Sequence, residues 1–261
     1  MTVGKMVEIN LNAHCGDDAA SSEAFNRAGN ALPAWKRFLD IGCLVLAAPA
    51  LLPIMALIAL AIRLSSSGPI LFRQERIGLH GRSFMCFKFR TMTHSAETKC
   101  HEAHLQDLIG SDTPMKKLDA NDGRVLRIGK LLRASGLDEL PQVFNIIRGE
   151  MSFVGPRPCV RYEYEKYRPE HRARFNAVPG LTGLWQVSGK NKTTFRQMIA
   201  LDIAYSQKLS LWQDVSILFR TFPVLLEQTT EVIQRKQRQS GSDVQIEAPR
   251  HRPTARPLTS V

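Results

Sequence analysis

The chain has 261 residues, 44% hydrophobic and 23% charged, which excludes wholesale disorder and allows one substantial domain or two small ones. Its 35 Lys and Arg against 24 Asp and Glu give a formal net charge of +11, so an anionic partner is expected: nucleic acid, a membrane surface or a phosphorylated substrate. The five cysteines contain no C-x-x-C pair, which excludes a zinc ribbon and argues against a disulfide framework.

Residues 1–34, with acids at Glu8, Asp17, Asp18 and Glu23, do not read as a cleavable leader and are expected to form a poorly ordered tail. Ile41 to Ile62 (IGCLVLAAPALLPIMALIALAI) is uncharged and long enough to cross hydrocarbon as a helix. A soluble core helix of that length would carry a polar face, and this one has none. Pro49 and Pro53 each remove a backbone donor and crowd the preceding turn, so a bend is expected. Lys36 and Arg37 precede the run, and Arg63, Arg73, Arg76 and Arg82 follow it. Cationic flanks on both sides choose no orientation for a straight span. A bent helix that enters and leaves by one face satisfies both ends and is preferred to a single pass, with the inserted segment placed at 35–64.

Ser65-Ser66-Ser67-Gly68-Pro69 breaks the pattern, and ILFR (70–73) and FMCFKFR (84–90) then read as strands around a turn at His80-Gly81. Alternation in the second strand puts Met85, Phe87 and Phe89 on one face and Cys86, Lys88 and Arg90 on the other. Two cations then face either solvent or an anion. His94 to Gly123 is polar and weakly helical. Its Cys100, His101 and His104 could suit a metal ion, but with no second cluster a solvated helix is the better reading. RVLRIGKLLRA (124–134) predicts a short amphipathic helix whose Arg124, Arg127, Lys130 and Arg133 form a cationic flank suited to anionic lipid.

The stretch SGLDELPQVFNIIRGEMSFVGPRP (135–158) is the most unusual. Leu140, Val143, Phe144, Ile146 and Ile147 give a helical apolar face that Gly149 ends. Pro141 fits only a first turn, so the helix is expected to start near Asp138 or Glu139 with both carboxylates at its N-terminus. One reading is capping, because Ser135-x-x-Asp138 matches a capping box. The other is chemistry: a helix start able to receive phosphate lies just before the Gly155-Pro156-Arg157-Pro158 loop, which presents a guanidinium. Farther on, 195–208 reads as a helix and 211–226 as an apolar, aromatic segment for the core or a membrane interface. Beyond Glu227 the Arg-, Gln- and Pro-rich chain reads as a disordered basic tail. The expected fold class is α+β, mostly helical with a small sheet, plus an N-terminal proline-kinked membrane helix that is re-entrant or single-pass.

KRFLDIG (36–42), the apolar helix, GPILFRQERIG (68–78), FKFRTM (87–92), LDELPQ (137–142), GEMSFVGPRP (149–158) and PGLTGLWQVSGKN (179–191) stand in this order. Together they resemble the bacterial sugar transferases, monotopic polyprenyl-phosphate phosphoglycosyltransferases that begin exopolysaccharide, capsule or O-antigen repeats. At the helix break that family often has Ser-Pro where this chain has Leu52-Pro53, so the proline bend is kept but a serine-to-backbone bond is not. The resemblance implies transfer of hexose-1-phosphate from UDP-hexose to undecaprenyl phosphate with release of UMP, galactose being favoured over glucose. It implies a cytoplasmic catalytic domain over 65–226, at the bacterial inner membrane. It casts Asp138 as nucleophile, Glu139 as its acidic partner and Mg²⁺ ligand, and Arg157 as a phosphate contact, with Lys88 and Arg90 as further substrate contacts. The expected partners are UDP-hexose, undecaprenyl phosphate and membrane lipid, with a homo-oligomer allowed and no nucleic acid, since no groove-reading motif is present. A non-enzymatic basic membrane scaffold, with Asp138 merely a cap, is the alternative.

Overall fold

A computed structural model describes residues 32–92, 108–109, 111, 113–115 and 124–244. Residues 1–31 of the expected tail over 1–34, the Cys100, His101 and His104 group and residues 245–261 lie outside the described residues. Helix α1 (Ala34–Ser65) begins just after Pro33, whose φ of −51° suits a helix start, and keeps Pro49 and Pro53 inside it. Among the described residues it is the one helix long and apolar enough to cross a membrane, and 11% of its most apolar stretch is buried. Leu46, Leu52 and Leu57 point outward from it.

What is buried lies at the two ends. Near the start, the Lys36 ammonium donates to the Val154 carbonyl (2.7 Å) and the Tyr205 hydroxyl (2.9 Å) and pairs with Asp214. Arg37 donates to the Ile146 and Ile147 carbonyls, and Asp40 accepts from the Ser152 hydroxyl and the Phe153 N–H, both at 2.9 Å. Near the end, Ile58 and Ile62 are buried with Phe89 and Leu132. Both ends of α1 therefore rest on the same body.

Strands β1 (Leu71–Ile77) and β2 (Ser83–Phe89) form an antiparallel hairpin whose register opposes Phe72 to Lys88, Gln74 to Cys86 and Arg76 to Phe84. A 3₁₀ turn over Leu79–Gly81, with His80 at φ 53°, joins them where the sequence predicts a turn. After α2 (Arg127–Ser135) come a 3₁₀ turn (Leu137–Gln142), α3 (Val143–Arg148) and β3 (Ser152–Val154). Helix α4 (Arg161–Glu165) and β4 (Gly180–Thr182) follow, β4 pairing parallel to β3. The chain continues through α5 (Leu184–Val187), α6 (Phe195–Gln207) and α7 (Leu211–Val244). Thr194 starts α6 with a capping box: its hydroxyl accepts from the Gln197 N–H, and the Gln197 side chain accepts from the Thr194 N–H. Tyr167, Phe175, Trp185, Phe195 and Met198 meet in the main core. The α+β, mostly helical expectation holds, although the small sheet is two separate two-stranded pieces.

Three local expectations are corrected. Asp138 and Glu139 lie not at an α-helix start but in the 3₁₀ turn, because Gly136 at φ 73° breaks the chain direction between α2 and that turn. Ser135 belongs to the end of α2, where its hydroxyl donates back to the Leu131 and Leu132 carbonyls, so the capping box with Asp138 does not form. The long helix also runs past Glu227 to Val244, where the sequence reading ends order. Glu, Gln, Lys and Arg sustain a helix once a packed segment has nucleated it.

Candidate active site

The hairpin and the acid-bearing turn are held together by one side chain. Asn145, fully buried on α3, accepts from the Phe87 N–H (3.2 Å) and donates to the Met85 carbonyl (2.6 Å) and the Glu150 carboxylate (2.7 Å). It thus satisfies the outward-facing backbone of β2 as a neighbouring strand would. Packing of Cys86 with Ile146 and Met151 fills the space behind. This docking sets the Leu137–Gln142 turn against β2, where Lys88 Nζ donates to Glu139 Oε1 at 3.0 Å. The Glu139 side chain stays 38% exposed and that of Lys88 22%, so the pair is open to an incoming ligand. Asp138 is half-buried beside it.

The second half of the site is the loop after β3. Gly155 packs its backbone so closely on the Val178 carbonyl and Gly180 that a Cβ would collide with both. Arg157 projects from this loop with 35% of its side chain exposed, 3.9 Å from Glu163 and over the Trp185 ring. Its carbonyl accepts from Arg174 at 2.9 Å, and its backbone N–H is directed at Asp202. Arg174 is wholly buried and bonded to Asp202 and Tyr167, whose hydroxyl in turn donates to Glu163. Burial pushes Asp202 up to about 6 against the pull of the Arg174 charge, and it raises Tyr167 as well. A buried charge network of this kind specifies geometry: it seats Arg157 from below while its guanidinium reaches outward, with Arg174 Nε and Asp202 Oδ1 left without a hydrogen-bond partner among the described residues.

Arg76 joins the two halves. Its guanidinium donates to the Pro158 carbonyl (3.3 Å) and to Gln74 (2.6 Å), and its Nε is buried without a partner among the described residues. Burial first, and then the neighbouring Arg157 charge, lower it from its ordinary value, while Glu163 and Glu139 act in the opposite direction.

Of the residues singled out from sequence, Lys88 meets Glu139, and Arg157 faces the same region through Arg76. Arg90 is placed elsewhere. It is buried, and its guanidinium donates to the Ser67 (2.6 Å) and Ser66 (3.0 Å) carbonyls, tying β2 to the exit of α1. Lys88 and Arg90 therefore share a strand face but not a task. Sequence reasoning missed Arg76, although its register with Phe84 places it on the Lys88 side of the hairpin. It also missed Arg174, Asp202 and Glu163, which no local pattern marks. Among the described residues the thiols are poor nucleophiles: burial pushes Cys159 up to about 12 and raises Cys86. Among the described residues no three His, Cys, Asp or Glu groups gather into a metal cage. Mg²⁺ commonly takes one or two carboxylates plus substrate phosphate and water, and the partly exposed Glu139 carboxylate fits that donor set.

An apolar helix anchored at both ends and an acid-bearing turn met by Lys88 fit a membrane-associated transferase. The chain belongs to the bacterial sugar transferase family, whose model matches residues 32–228. It is similar to a UDP-glucose:undecaprenyl-phosphate glucose-1-phosphate transferase of Caulobacter vibrioides, 45% identical over 73% of this chain and 69% of that one. An exopolysaccharide production protein ExoY of Sinorhizobium fredii is 40% identical over 73% of this chain and 84% of that one. The undecaprenyl-phosphate galactose phosphotransferase of Salmonella typhimurium is 37% identical over 73% of this chain but only 40% of its own length.

Proposed function

We propose that the chain transfers glucose- or galactose-1-phosphate from a UDP-hexose to undecaprenyl phosphate, releasing UMP and initiating a polysaccharide repeat. The observation that carries this reading is the Lys88–Glu139 contact at 3.0 Å, made in the turn that also carries Asp138, in a chain with a long apolar helix. The names of the relatives, divided between glucose and galactose, support the substrate class.

Asp138 acts as the nucleophile. Its carboxylate oxygen attacks the sugar-bearing phosphorus, a carboxyl–phosphate bond forms, and the phosphoanhydride bond to UMP breaks. The phosphate oxygen of the polyprenyl acceptor then attacks the same phosphorus and Asp138 leaves as a free carboxylate. Dividing the transfer in two means that the two anionic substrates need not meet in the site. Arg157, held from beneath by Arg174, grips phosphate with its planar fork, and Lys88 turns from Glu139 to the same charge. Mg²⁺, when bound, would neutralise charge on the diphosphate, and Glu139 would hold it.

The same reading places the catalytic domain on the cytoplasmic face of the inner membrane, with α1 dipping into one leaflet and returning. Support comes from Lys36, Arg37 and Asp40 at one end and Ile58 and Ile62 at the other all packing on one body. UMP release from UDP-glucose and UDP-galactose, assayed with and without undecaprenyl phosphate, tests the activity. Asp138→Asn, a change that keeps the side chain's size, should abolish turnover and leave no phosphosugar on the protein. Wild-type turnover by the Asn variant would return Asp138 to a structural role.

A further inference from the structure

The hairpin carries a second concentration of positive charge, on the face turned away from Lys88. Arg73 stands directly opposite Phe87 in the antiparallel register, so these two side chains share one face, while Arg76 and Lys88 belong to the other. The Arg73 guanidinium lies 5.8 Å from the centre of the Phe87 ring, and that of Arg148, at the end of α3, lies 5.1 Å from the same centre. Both arginines are exposed, and neither has a carboxylate or carbonyl partner among the described residues. The nearest acids along the chain are engaged elsewhere: Glu75 pairs with Arg161 at 2.7 Å, and Glu150 accepts from Asn145 at 2.7 Å. One ring therefore gathers two cations that no acid neutralises. A guanidinium held in this way still offers paired N–H donors, which match the oxygens of a phosphate.

The depth of this cluster follows from α1. Arg37, just ahead of the uncharged run that starts at Ile41, donates to the Ile146 and Ile147 carbonyls, and Arg148 is the next residue. Phe144 and Ile147 stay exposed although large and apolar, and Ile147 lines an apolar surface together with Ile41 and Leu44 of α1. The end of α3 thus passes from apolar to cationic beside the point where α1 makes the same change. At a bilayer that boundary is the layer of lipid phosphates. We propose that Arg73, Phe87 and Arg148 form a site for the phosphodiester of an anionic phospholipid of the phosphatidylglycerol class, separate from the site that handles the UDP-sugar. The UDP-sugar belongs on the opposite face, where Lys88 meets Glu139. A zwitterionic lipid brings its own cation to a cluster that is already positive, so it gains less. A lipid bound here ties the hairpin to the bilayer independently of α1 and fixes its tilt at the surface.

The test uses the full-length protein in detergent micelles, titrated with phosphatidylglycerol or with phosphatidylcholine of the same acyl chains. Bound lipid is counted by native mass spectrometry. The wild type should prefer phosphatidylglycerol. In the double variant Arg73→Gln, Arg148→Gln that affinity should fall by roughly tenfold or more, as the loss of two cations at a membrane surface requires. Equal affinity in wild type and variant, or no preference between the lipids, would overturn the proposal. Saturating UDP-glucose should leave the phosphatidylglycerol bound, and its displacement would mean one shared site and sink the separate one. Inorganic phosphate at constant ionic strength should compete only weakly. Competition at matched concentration would mark a general anion site, and the proposal would fall. A second measurement needs no variant: phosphatidylglycerol with a diazirine on its glycerol headgroup should label peptides from 70–77 and 143–151 of the wild type. Labelling confined to other peptides would put the headgroup on another surface and overturn the assignment. Neither measurement reads UMP release, so failure here leaves the proposed activity standing.

Discussion

Lys36→Met offers a decisive test of how α1 is held. The ammonium is inaccessible to solvent, and it sits in contact with a carboxylate, a hydroxyl and a carbonyl at once. Its loss leaves Asp214, equally buried, with the Tyr205 hydroxyl as its remaining donor among the described bonds. Breaking a buried pair from one side costs about 3–5 kcal/mol, whereas an exposed pair is worth about 0–1. At about 2–4 °C per kcal/mol for a domain of this size, the melting temperature should fall by roughly 10 °C. The double substitution Lys36→Met with Asp214→Leu removes both charges. Tyr205 can still donate to the Val154 carbonyl at 3.1 Å, so no acceptor is orphaned there. The double variant should recover most of the loss, because two buried charges have been exchanged for hydrocarbon. Thermal unfolding followed by tryptophan fluorescence in mild detergent measures both, and Trp35 stands beside the lost ammonium. A single variant within about 1 kcal/mol of wild type, or a double variant no better than the single, would refute the reasoning.

Arg157→Ala should lose most activity and Arg157→Lys should regain only part of it, measured as kcat/KM for the UDP-sugar, because lysine cannot offer two parallel donors. Arg76→Gln should raise the UDP-sugar KM while the variant still binds membranes, measured by flotation with vesicles. Glu139→Gln should shift the Mg²⁺ titration of UMP release to higher concentration, and an unchanged titration would remove Glu139 from the metal's ligands. For Asp202 the sign follows from its raised value. The native state keeps this proton up to about pH 6, while the unfolded chain loses it near the ordinary aspartate value of 3.8. Within that window the native state holds more protons, so this group's share of stability falls as pH rises and is fully lost above about pH 6. The difference in melting temperature between wild type and Asp202→Asn should therefore change from pH 4.5 to 6.5, and a constant difference would count against the assignment.

The parts of this fold that local chemistry marks were legible before any coordinates. Twenty-odd uncharged residues have few homes outside a membrane, and alternation alone put Lys88 on one face of its strand. The motif around Asp138 and Glu139 was visible, yet its local geometry was not. Gly136 could end one helix or begin the next, and only packing against β2 decides for the 3₁₀ turn. Arg90 shows a limit of another kind: periodicity sorts residues by face, but it does not show that the carbonyls of Ser66 and Ser67 wait on that face. The Arg174–Asp202 support was out of reach for a similar reason. Its members lie on separate elements, and nothing in HRARF or in α6 distinguishes them from ordinary surface charges. Strands of three residues, such as β3 and β4, carry too few side chains for a period to be read.

The hydrogen bonds that Asn145 makes to β2 also bear on how copies of this protein coexist. A two-stranded hairpin has two raw edges, each a template for another chain. One is closed here by the Asn145 amide on Met85 and Phe87, and the other by the Ile77 N–H donating to the Cys159 carbonyl at 2.8 Å. A protein confined to a membrane surface meets its neighbours far more often than one free in bulk. Edge-to-edge stacking would then be a standing hazard during crowding or overexpression. Asn145→Leu keeps the side chain's size but uncovers the edge, and it marks the point at which this molecule would begin to aggregate.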